Sequence, residues 1–436
     1  LIPSIFKKMS TNGNHKKERA GVTRPRRLLL CLDGVPFDMV RESRERGLFE
    51  GWNQPSRLLS PFPTMTNIAL STMLRATAPL GYESLYFDRN SREIRGGIGK
   101  YIGRRTPDKL PSSYMDELDY QEPLPFEFLV YVAPEMVWRA DMRRFDEQFR
   151  NAPQRRDYFA FLKGTDGLLH IRGPEPLRRA LRSLDKLLKE IRAWCGAETE
   201  IMLFSDHGMT IGEIRRVHLQ THLRRCGYEI TDRLNGTKGR RAVAIPAFGL
   251  IGYAALFCDE ENRARLAEDL IELEGVDFSI YRDATSAIIV TGAKGSARIQ
   301  RREEADGISY RYEQMTNDPL QLAAIVRSMS DERLLDDDGY ASAESWSART
   351  ATHIYPDALA NLYNALHTER VHHTADLLVS LKDGYYYGSS LFAHIVSLKA
   401  THGNALRASS TAFMMSTHRT LPEFVRADEA QPLLKG

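Results

Sequence analysis

Three short apolar segments of this chain each lead directly into a turn that carries a carboxylate, and this arrangement constrains the fold more than any other feature. The segments are Leu28–Leu32, Tyr158–Leu162 and Met202–Phe204. Each has the length of a β-strand, and the first is continuously apolar, as expected of a strand buried on both faces. Open α/β sheets place their functional residues beyond the carboxyl ends of the strands. The pattern therefore predicts a sheet edge that gathers polar side chains.

The turn after the third segment carries Asp206 and His207 and continues with Gly208. Carboxylates and imidazoles are both ligands of divalent metals. Taken alone, such a pair can equally belong to a hydrogen-bonded turn without a metal. Asp33, which precedes Gly34, occupies the equivalent position after the first segment. There the alternative is that its side chain only caps the following turn.

The second segment leads to another carboxylate and imidazole, Asp166 and His170. Leucines and an isoleucine at alternating spacings of four and three residues predict a long amphipathic helix over Leu177–Ile191. We therefore expect His170 in the loop before that helix. Lys163 is a candidate contact for a phosphate or carboxylate group of a substrate, with an ordinary solvated lysine as the alternative.

Two further segments add a hydroxyl and an imidazole. A proline-rich loop, Pro61–Thr64, opens into an apolar helix near Thr66 and Asn67. Because the start of a helix favours anions, the Thr66 hydroxyl could be held close to a phosphate and a metal; the alternative is a helix cap. His402 lies in a glycine-containing segment late in the chain. Other histidines, including His394, follow no strand-to-glycine turn, and we expect them at the surface or in the core.

Taken together and in this order, the segments resemble the alkaline phosphatase superfamily, and most closely its type I phosphodiesterase and nucleotide pyrophosphatase branch. The resemblance runs from about residue 26 to about residue 434. It implies that Thr66, within Pro63-Thr64-Met65-Thr66, is the nucleophile. It also implies two metal sites, with metal two bound by Asp33, Asp206, His207 and Thr66, and metal one bound by Asp166, His170 and His402.

The ligand set also indicates the metal. Aspartate and histidine without a thiolate suit two divalent ions, zinc first and manganese second, and three ligands per ion leave positions open for water and substrate. Two such ions, roughly 3.5 to 4 Å apart in known sites, can hold the attacking and leaving oxygens of a phosphoryl displacement.

The chain departs from the branch after the nucleophile. The branch usually continues Thr-Phe-Pro-Asn, where the asparagine helps to bind phosphoryl oxygens, whereas this chain continues Thr66-Asn67-Ile68-Ala69. Asn67 could take that role from a shifted position, and the change leaves the substrate class open.

The function that the resemblance implies is a metal-dependent hydrolase of phosphodiesters or nucleotide pyrophosphates, acting on a small phosphoryl substrate through a phosphothreonine intermediate. The alternatives are a phosphomonoesterase or phosphonate hydrolase of the same superfamily, and a non-catalytic binding module on the same fold. Such a module would have no chemical need for two complete metal sites.

The expected fold is an α/β, alkaline-phosphatase-like architecture with a mostly parallel sheet and helices on both faces. Residues 1–24 are expected to be a flexible basic tail, residues 25–210 and 376–436 the catalytic core, and residues 211–375 an inserted, smaller α+β subdomain. The core strands are expected at Leu28, Tyr158, Ile201, Asp376–Leu381 and Ala412. The longest apolar stretch, Ala242–Cys258, is too short for a membrane helix, and we interpret it as two short strands.

Composition excludes other classes of protein. With 42% hydrophobic residues among 436, the chain can bury a large core, and a net charge of +3 implies no general nucleic-acid surface. The four cysteines have no short metal or redox spacing, which predicts free thiols and a reducing, cytoplasmic compartment. A leader upstream of this chain would instead permit export. The sequence contains no indication of the oligomeric state.

Overall fold

The computed structural model describes residues 27–97, 110, 112–153, 156–305, 307–389 and 396–435. The expected basic tail, residues 1–24, and His394 lie outside the described residues. In the described part of the chain, no helix is both long enough and apolar enough to span a membrane.

The chain alternates strands and helices through most of its length. The strands, in chain order, are β1 (Arg27–Leu32), β2 (Ser56–Leu59), β3 (Leu85–Asp88), β4 (Glu93–Gly96), β5 (Tyr158–Leu162), β6 (Glu200–Ser205), β7 (Thr210–Ile211), β8 (Arg215–Arg216), β9 (Glu229–Ile230), β10 (Ala242–Ala244), β11 (Leu250–Ile251), β12 (Tyr253–Cys258), β13 (Val276–Arg282), β14 (Ile288–Gly292), β15 (Gly295–Glu304), β16 (Gly307–Asn317), β17 (Ala341–Ser342), β18 (Leu377–Leu381), β19 (Tyr385–Gly388), β20 (Ala400–Thr401), β21 (Thr411–Ser416) and β22 (Phe424–Arg426).

The α-helices of the described residues are α1 (Phe37–Glu45), α2 (Thr66–Leu74), α3 (Leu124–Leu129), α4 (Pro134–Asn151), α5 (Gly164–Arg172), α6 (Pro174–Cys195), α7 (Leu219–Arg225), α8 (Arg263–Ile271), α9 (Ala323–Asp331), α10 (Ala343–Thr350), α11 (Ala358–Ala365), α12 (Arg407–Ser410) and α13 (Ala430–Lys435). Short 3₁₀ turns cover Tyr114–Glu117, Glu260–Asn262 and Ala427–Glu429.

The first sheet has six strands in the order β22-β2-β21-β6-β1-β5. β1 pairs in parallel with β5 on one side and β6 on the other, while β21 is antiparallel to both β6 and β2. Since β22 is parallel to β2, five strands run one way and β21 runs the other. The predicted α/β fold with a mostly parallel sheet is confirmed.

Helices cover both faces of this sheet. Leu28, Leu30 and Leu32 pack on one face with residues of α1, α4 and α6, whereas Leu29 and Cys31 pack on the other face with residues of α2 and α13. Burial on both faces is the physical reason why the strand is apolar at every position instead of alternating.

Helix α6 confirms the amphipathic pattern. It spans Pro174–Cys195 and buries Leu177, Leu184 and Ile191 along the predicted stripe. Pro174 fits the first turn of the helix because that position needs no backbone donor. Gly173, directly before it, has φ +79°, a conformation that glycine adopts without steric strain.

The second sheet has nine strands in the order β17-β16-β15-β14-β13-β18-β12-β10-β9. Strand β18 lies between β13 and β12 and is antiparallel to both. The prediction that Asp376–Leu381 belongs to the core sheet is therefore wrong, although the strand itself is present. A buried apolar run has the same pattern in either sheet, so its sequence could not assign the partner. The stretch Ala242–Cys258 forms three strands, β10, β11 and β12, instead of the expected two.

Leu203 tests the central packing of the first sheet, because it is fully buried in β6. We expect Leu203→Ala to lower the free energy of unfolding by about 2 to 5 kcal/mol, through lost burial and the cavity left behind. Urea denaturation measures the change. Met315→Ala, at a side chain that is 51% exposed, is the control and should change stability by less than about 0.5 kcal/mol. Equal effects of the two changes would contradict this packing.

Candidate metal centre

Two functional turns lie side by side at the carboxyl edge of the first sheet. Asp33 follows β1, and Asp206 and His207 follow β6, the parallel neighbour of β1. The backbone N–H of Gly34 donates to Oδ1 of Asp206 at 3.0 Å, so the two turns are joined directly. Parallel pairing thus brings together residues that lie far apart in the sequence.

The first cluster consists of Asp33, Asp206 and His207, all buried. Nε2 of His207 lies 3.3 Å from Oδ2 of Asp206 and 3.5 Å from Oδ1 of Asp33. One ligand atom of each residue lies within 4.8 Å of the others. These atoms could contact one ion.

The second cluster consists of Asp166, His170 and His402, also buried. Oδ1 of Asp166 lies 3.2 Å from Nε2 of His170 and 3.7 Å from Nε2 of His402. This cluster contains one carboxylate and two imidazoles, and both groups are ligands of divalent metals.

His170 is not in a loop, as the sequence suggested, but near the end of helix α5. Asp166 is on the same helix, and a separation of four residues places both side chains on one face. Gly173 and Pro174 separate α5 from α6. The leucine pattern marked only the second of these two helices, because α5 is buried around most of its circumference.

The two clusters share a wall. The rings of His207 and His402 stack with centroids 4.0 Å apart. His402 reaches this position because β20, directly before it, pairs with β7, which follows the Asp206 turn. A Cβ added at Gly34 would lie 3.2 Å from Oδ1 of Asp166 and 2.5 Å from the Met209 methyl group. A side chain at position 34 would therefore intrude between the clusters.

Backbone carbonyls orient all three imidazoles. Nδ1–H of His170 donates to the Ala400 carbonyl, and Nδ1–H of His402 donates to the Thr64 carbonyl, both at 2.7 Å. Nδ1–H of His207 donates to the Gly208 carbonyl at 3.1 Å. A carbonyl oxygen only accepts, so Nδ1 carries the proton and Nε2 presents its lone pair toward the carboxylates. This is the arrangement that supports metal-binding histidines.

Burial makes the charged forms of four cluster residues unfavourable. Burial raises the pKa of Asp33 well above its usual value and the pKa of Asp206 to about 6. Burial also lowers the pKa of His207 to about 4 and the pKa of His402 to about 3. These two imidazoles are therefore neutral at pH 7, which is the form that binds metal. Burial acts in the same direction on His170, but the Asp166 carboxylate outweighs it and raises the pKa of His170.

The Asp166 carboxyl is buried as well, yet the adjacent His170 imidazole holds its pKa below the usual range. Two oxygens, Oδ1 of Asp166 and Oδ2 of Asp206, are buried and have no hydrogen-bond partner among the residues that the structure describes. Such atoms are costly unless a bound ion or water satisfies them. Both face imidazole nitrogens across the clusters, so the residues fit two divalent ions.

Thr66 lies between the first cluster and a helix start. It is the first residue of α2, and its hydroxyl donates to Oδ1 of Asp33 at 3.2 Å and lies 3.3 Å from Nε2 of His207. The first-turn amides of a helix have no acceptor within the helix and attract anions. A phosphoryl group beside Thr66 would meet both the helix start and the cluster.

Asn67 and Lys163 line a cavity of about 430 Å³ that opens beside Thr66. The Asn67 amide donates from Nδ2 to the Gly81 carbonyl at 3.2 Å, and its Oδ1 accepts the Ile68 N–H at 3.0 Å. Nδ2 of Asn67 carries a second hydrogen, which it can donate to a substrate. Lys163 follows β5, and its charge lowers the pKa of Asp33 against the effect of burial.

Several supporting hydroxyls were not identified from the sequence. Thr165 donates to the Asp33 carbonyl at 2.7 Å, and Ser205 accepts the Val35 N–H at 2.8 Å and donates to the His207 carbonyl at 2.9 Å. Thr64 accepts the N–H of Gly403 at 2.7 Å. Each adjoins a predicted ligand segment, and that proximity was the only signal.

The sequence of residues 85–391 matches the family described as type I phosphodiesterase / nucleotide pyrophosphatase. The matched range contains Asp166, His170, Asp206 and His207, whereas Asp33, Thr66 and His402 lie outside it. No curated protein sequence matches this chain significantly.

Solved structures similar to this chain include human ectonucleotide pyrophosphatase / phosphodiesterase 5, at 13% identity and a TM-score of 0.47, with 94% of this chain and 93% of that chain covered. They also include phosphonoacetate hydrolase from Sinorhizobium meliloti in complex with phosphonoformate, at 13% identity and a TM-score of 0.48, with 94% of this chain and 95% of that chain covered.

Thr64 provides a test of the support around His402, since its carbonyl and its hydroxyl both contact the His402 segment. We expect Thr64→Val to weaken binding of one of two zinc ions by about tenfold, because the Gly403 N–H loses its acceptor and the histidine loses its fixed position. Zinc titration followed by calorimetry measures this change.

Thr72→Val is the matched control for Thr64→Val, since it removes a hydroxyl that only donates to the Ile68 carbonyl within α2. Thr64→Ser should restore the wild-type affinity. Unchanged affinity for both ions in Thr64→Val would show that this contact does not position His402.

Proposed function

Because this chain belongs to the type I phosphodiesterase / nucleotide pyrophosphatase family, we propose that it hydrolyses phosphodiester or phosphoanhydride bonds with Thr66 as nucleophile and two divalent ions as cofactors. Metal-dependent hydrolysis of phosphoryl esters is the activity of this family. The observation that carries the proposal is one hydroxyl, at a helix start, in contact with the first of two adjacent buried clusters of aspartate and histidine.

Zinc is the metal that we propose for both clusters, with manganese as the second choice, since every ligand is a carboxylate or an imidazole. Asp33, Asp206 and His207 would hold one ion, to which the Thr66 oxygen is adjacent, and Asp166, His170 and His402 would hold the other. When bound, the ions supply positive charge that favours an ionised oxygen nucleophile and stabilises the charge on the transferred phosphoryl group.

The residues of the chain position the first displacement. The Thr66 oxygen attacks phosphorus, the bond from phosphorus to the leaving oxygen breaks, and that oxygen departs with the electron pair. Oδ1 of Asp33, at 3.2 Å, is the acceptor toward which the Thr66 proton points. The first-turn amides of α2 face the phosphoryl oxygens, and Lys163 and Asn67 are the proposed side-chain contacts with substrate.

Water completes the reaction by attacking the phosphothreonine, so that the bond between phosphorus and the Thr66 oxygen breaks and the free hydroxyl returns. Each displacement inverts phosphorus, and two inversions leave its configuration retained. Retention would support a covalent intermediate, whereas direct attack by water would invert it.

We also infer a reducing compartment for the protein. The four cysteines are free thiols, three of them buried. Free thiols are typical of proteins that remain in the cytosol.

Thr66→Ala tests the nucleophile. We expect kcat for bis(4-nitrophenyl) phosphate to fall by about a thousandfold or more, because no other described hydroxyl occupies this position. Zinc content should remain at two ions per chain, since six other ligands are unchanged. Thr72→Ala, on the same helix, is the control and should retain activity.

The substrate panel separates this function from its alternatives. Preference for 4-nitrophenyl phosphate or for phosphonoacetate would assign a monoesterase or a phosphonate hydrolase. A wild-type protein that binds no metal and cleaves none of the substrates would fit a binding module instead. Persistent turnover by Thr66→Ala would remove Thr66 as nucleophile.

Removing the metal should affect both activity and stability. We expect a chelator to abolish hydrolysis and to lower the melting temperature, because three buried carboxylates then lack their cations. A metal ion present at a thousand times its Kd would stabilise the native state by about 4 kcal/mol. Differential scanning calorimetry and activity assays, before and after zinc is added back, measure the two effects. An unchanged melting temperature with full activity would contradict the metal assignment.

A further inference from the structure

The cavity beside Thr66 is lined mainly by apolar side chains outside the two clusters. Tyr114 and Leu118 come from one segment, Tyr131 from a second, and Phe248 and Leu250 from the segment between β10 and β12. A cavity of about 430 Å³ is large enough for the organic part of a small ester. These walls would surround the group that remains attached to phosphorus during the first displacement.

The charged residues of the cavity are distributed unequally. Lys163 lies close enough to Asp33 to lower its pKa, so its positive charge belongs to the phosphoryl end. Apart from the metal-cluster aspartates, the other charged residues that line the cavity within the described part of the chain are Glu83 and Glu122. Additional phosphate groups of a substrate would therefore lie near the carboxylates of Glu83 and Glu122. In these apolar surroundings the Coulomb repulsion between the negative charges would be strong.

Glu83 is held in a fixed position. Its Oε2 accepts the Gly249 N–H at 2.5 Å, and its carboxylate also accepts the Phe248 N–H. The segment before it is tied to the nucleophile helix, because the Asn67 amide donates to the Gly81 carbonyl. A carboxylate has about four lone-pair positions, so two backbone donors leave it capacity to accept further bonds.

The environment of Glu83 favours a positively charged partner. Burial raises the pKa of Glu83 to about 7, although the two backbone N–H groups act in the opposite direction. A desolvated carboxylate gains most from a donor that also carries positive charge. A protonated amine meets both requirements, whereas a hydroxyl supplies only the hydrogen bond.

We propose that the apolar walls of this cavity bind an amine-bearing organic group of the phosphodiester substrate, and that Glu83, which lines the same cavity, accepts a hydrogen bond from the ammonium of that group. The inference rests on the proposed function, since it assumes a diester held beside Thr66. It narrows the substrate class to esters with a cationic nitrogen and excludes polyphosphates as preferred substrates.

Two matched esters test the proposal, 2-aminoethyl 4-nitrophenyl phosphate and n-propyl 4-nitrophenyl phosphate. Both release 4-nitrophenolate, and the groups that they retain are nearly equal in size. A difference in kcat/KM therefore measures the effect of an ammonium in place of a methyl group. At about pH 8, where Glu83 is mostly ionised, we expect the wild-type protein to prefer the amine ester by about tenfold or more, mainly through KM.

Glu83→Gln keeps the size of the side chain and an oxygen that can accept the Gly249 N–H, but it removes the charge. We expect the ratio of the two kcat/KM values to fall to about one. Glu423→Gln, at a surface side chain that is 76% exposed, is the matched control and should keep the wild-type ratio. Zinc content and melting temperature of both variants exclude loss of the fold as the cause.

The outcomes separate this inference from the proposed function. If the wild-type protein cleaves both esters equally, or if Glu83→Gln keeps the preference, the amine site is wrong while the hydrolase remains. If the 4-nitrophenyl ester of thymidine 5′-phosphate is preferred over the amine ester by about tenfold, the cavity binds a nucleoside and the inference is overturned. If no diester is cleaved with zinc present, the proposed function and this inference fail together.

Discussion

Three carboxylates, Asp33, Asp166 and Asp206, are buried within reach of one another, and the organisation of the site depends on what balances their charge. Removing a single ion from water costs several kcal/mol even after the protein relaxes. The neighbouring imidazoles of His207 and His402 do not compensate, because burial lowers their pKa values and keeps them neutral. The divalent cations that we propose would satisfy both the charge and the two oxygens that have no hydrogen-bond partner among the described residues.

The fold supplies this site from segments that are distant in sequence. Parallel pairing of β1 with β5 and β6 fixes the Asp33, Asp166 and Asp206 segments at one edge, while His402 returns only after the whole second sheet. Its return depends on local contacts, namely the pairing of β20 with β7 and the hydrogen bond from His402 to the Thr64 carbonyl. The nucleophile loop and the last histidine are therefore positioned by each other.

Sequence alone predicted those parts of the structure that are determined by residues close together in the chain. Burial on both faces gives Leu28–Leu32 its continuous apolar pattern, and ligands at strand ends can be read directly after such a pattern. The partner of β18 was not predictable, because its apolar residues fit either sheet equally well. Glu83 and Thr64 gave no signal either, since their roles arise from contacts with Gly249 and Gly403, which lie 166 and 339 positions away.

In the proposed site, the metal ligands and one wall of the cavity come from different parts of the fold, and this division has a physical consequence. Most of the proposed ligands follow strands of the first sheet, whereas Phe248, Leu250 and Ile251, which lie between β10 and β12 of the second sheet, line the cavity. Changes in that wall can alter which organic group fits without displacing a carboxylate. Gly252, which directly follows Ile251, is tied to a proposed ligand, because its N–H donates to the His402 carbonyl at 2.6 Å. An added Cβ there would lie 3.1 Å from the same carbonyl oxygen, so a side chain at position 252 would disturb the geometry of a proposed metal ligand.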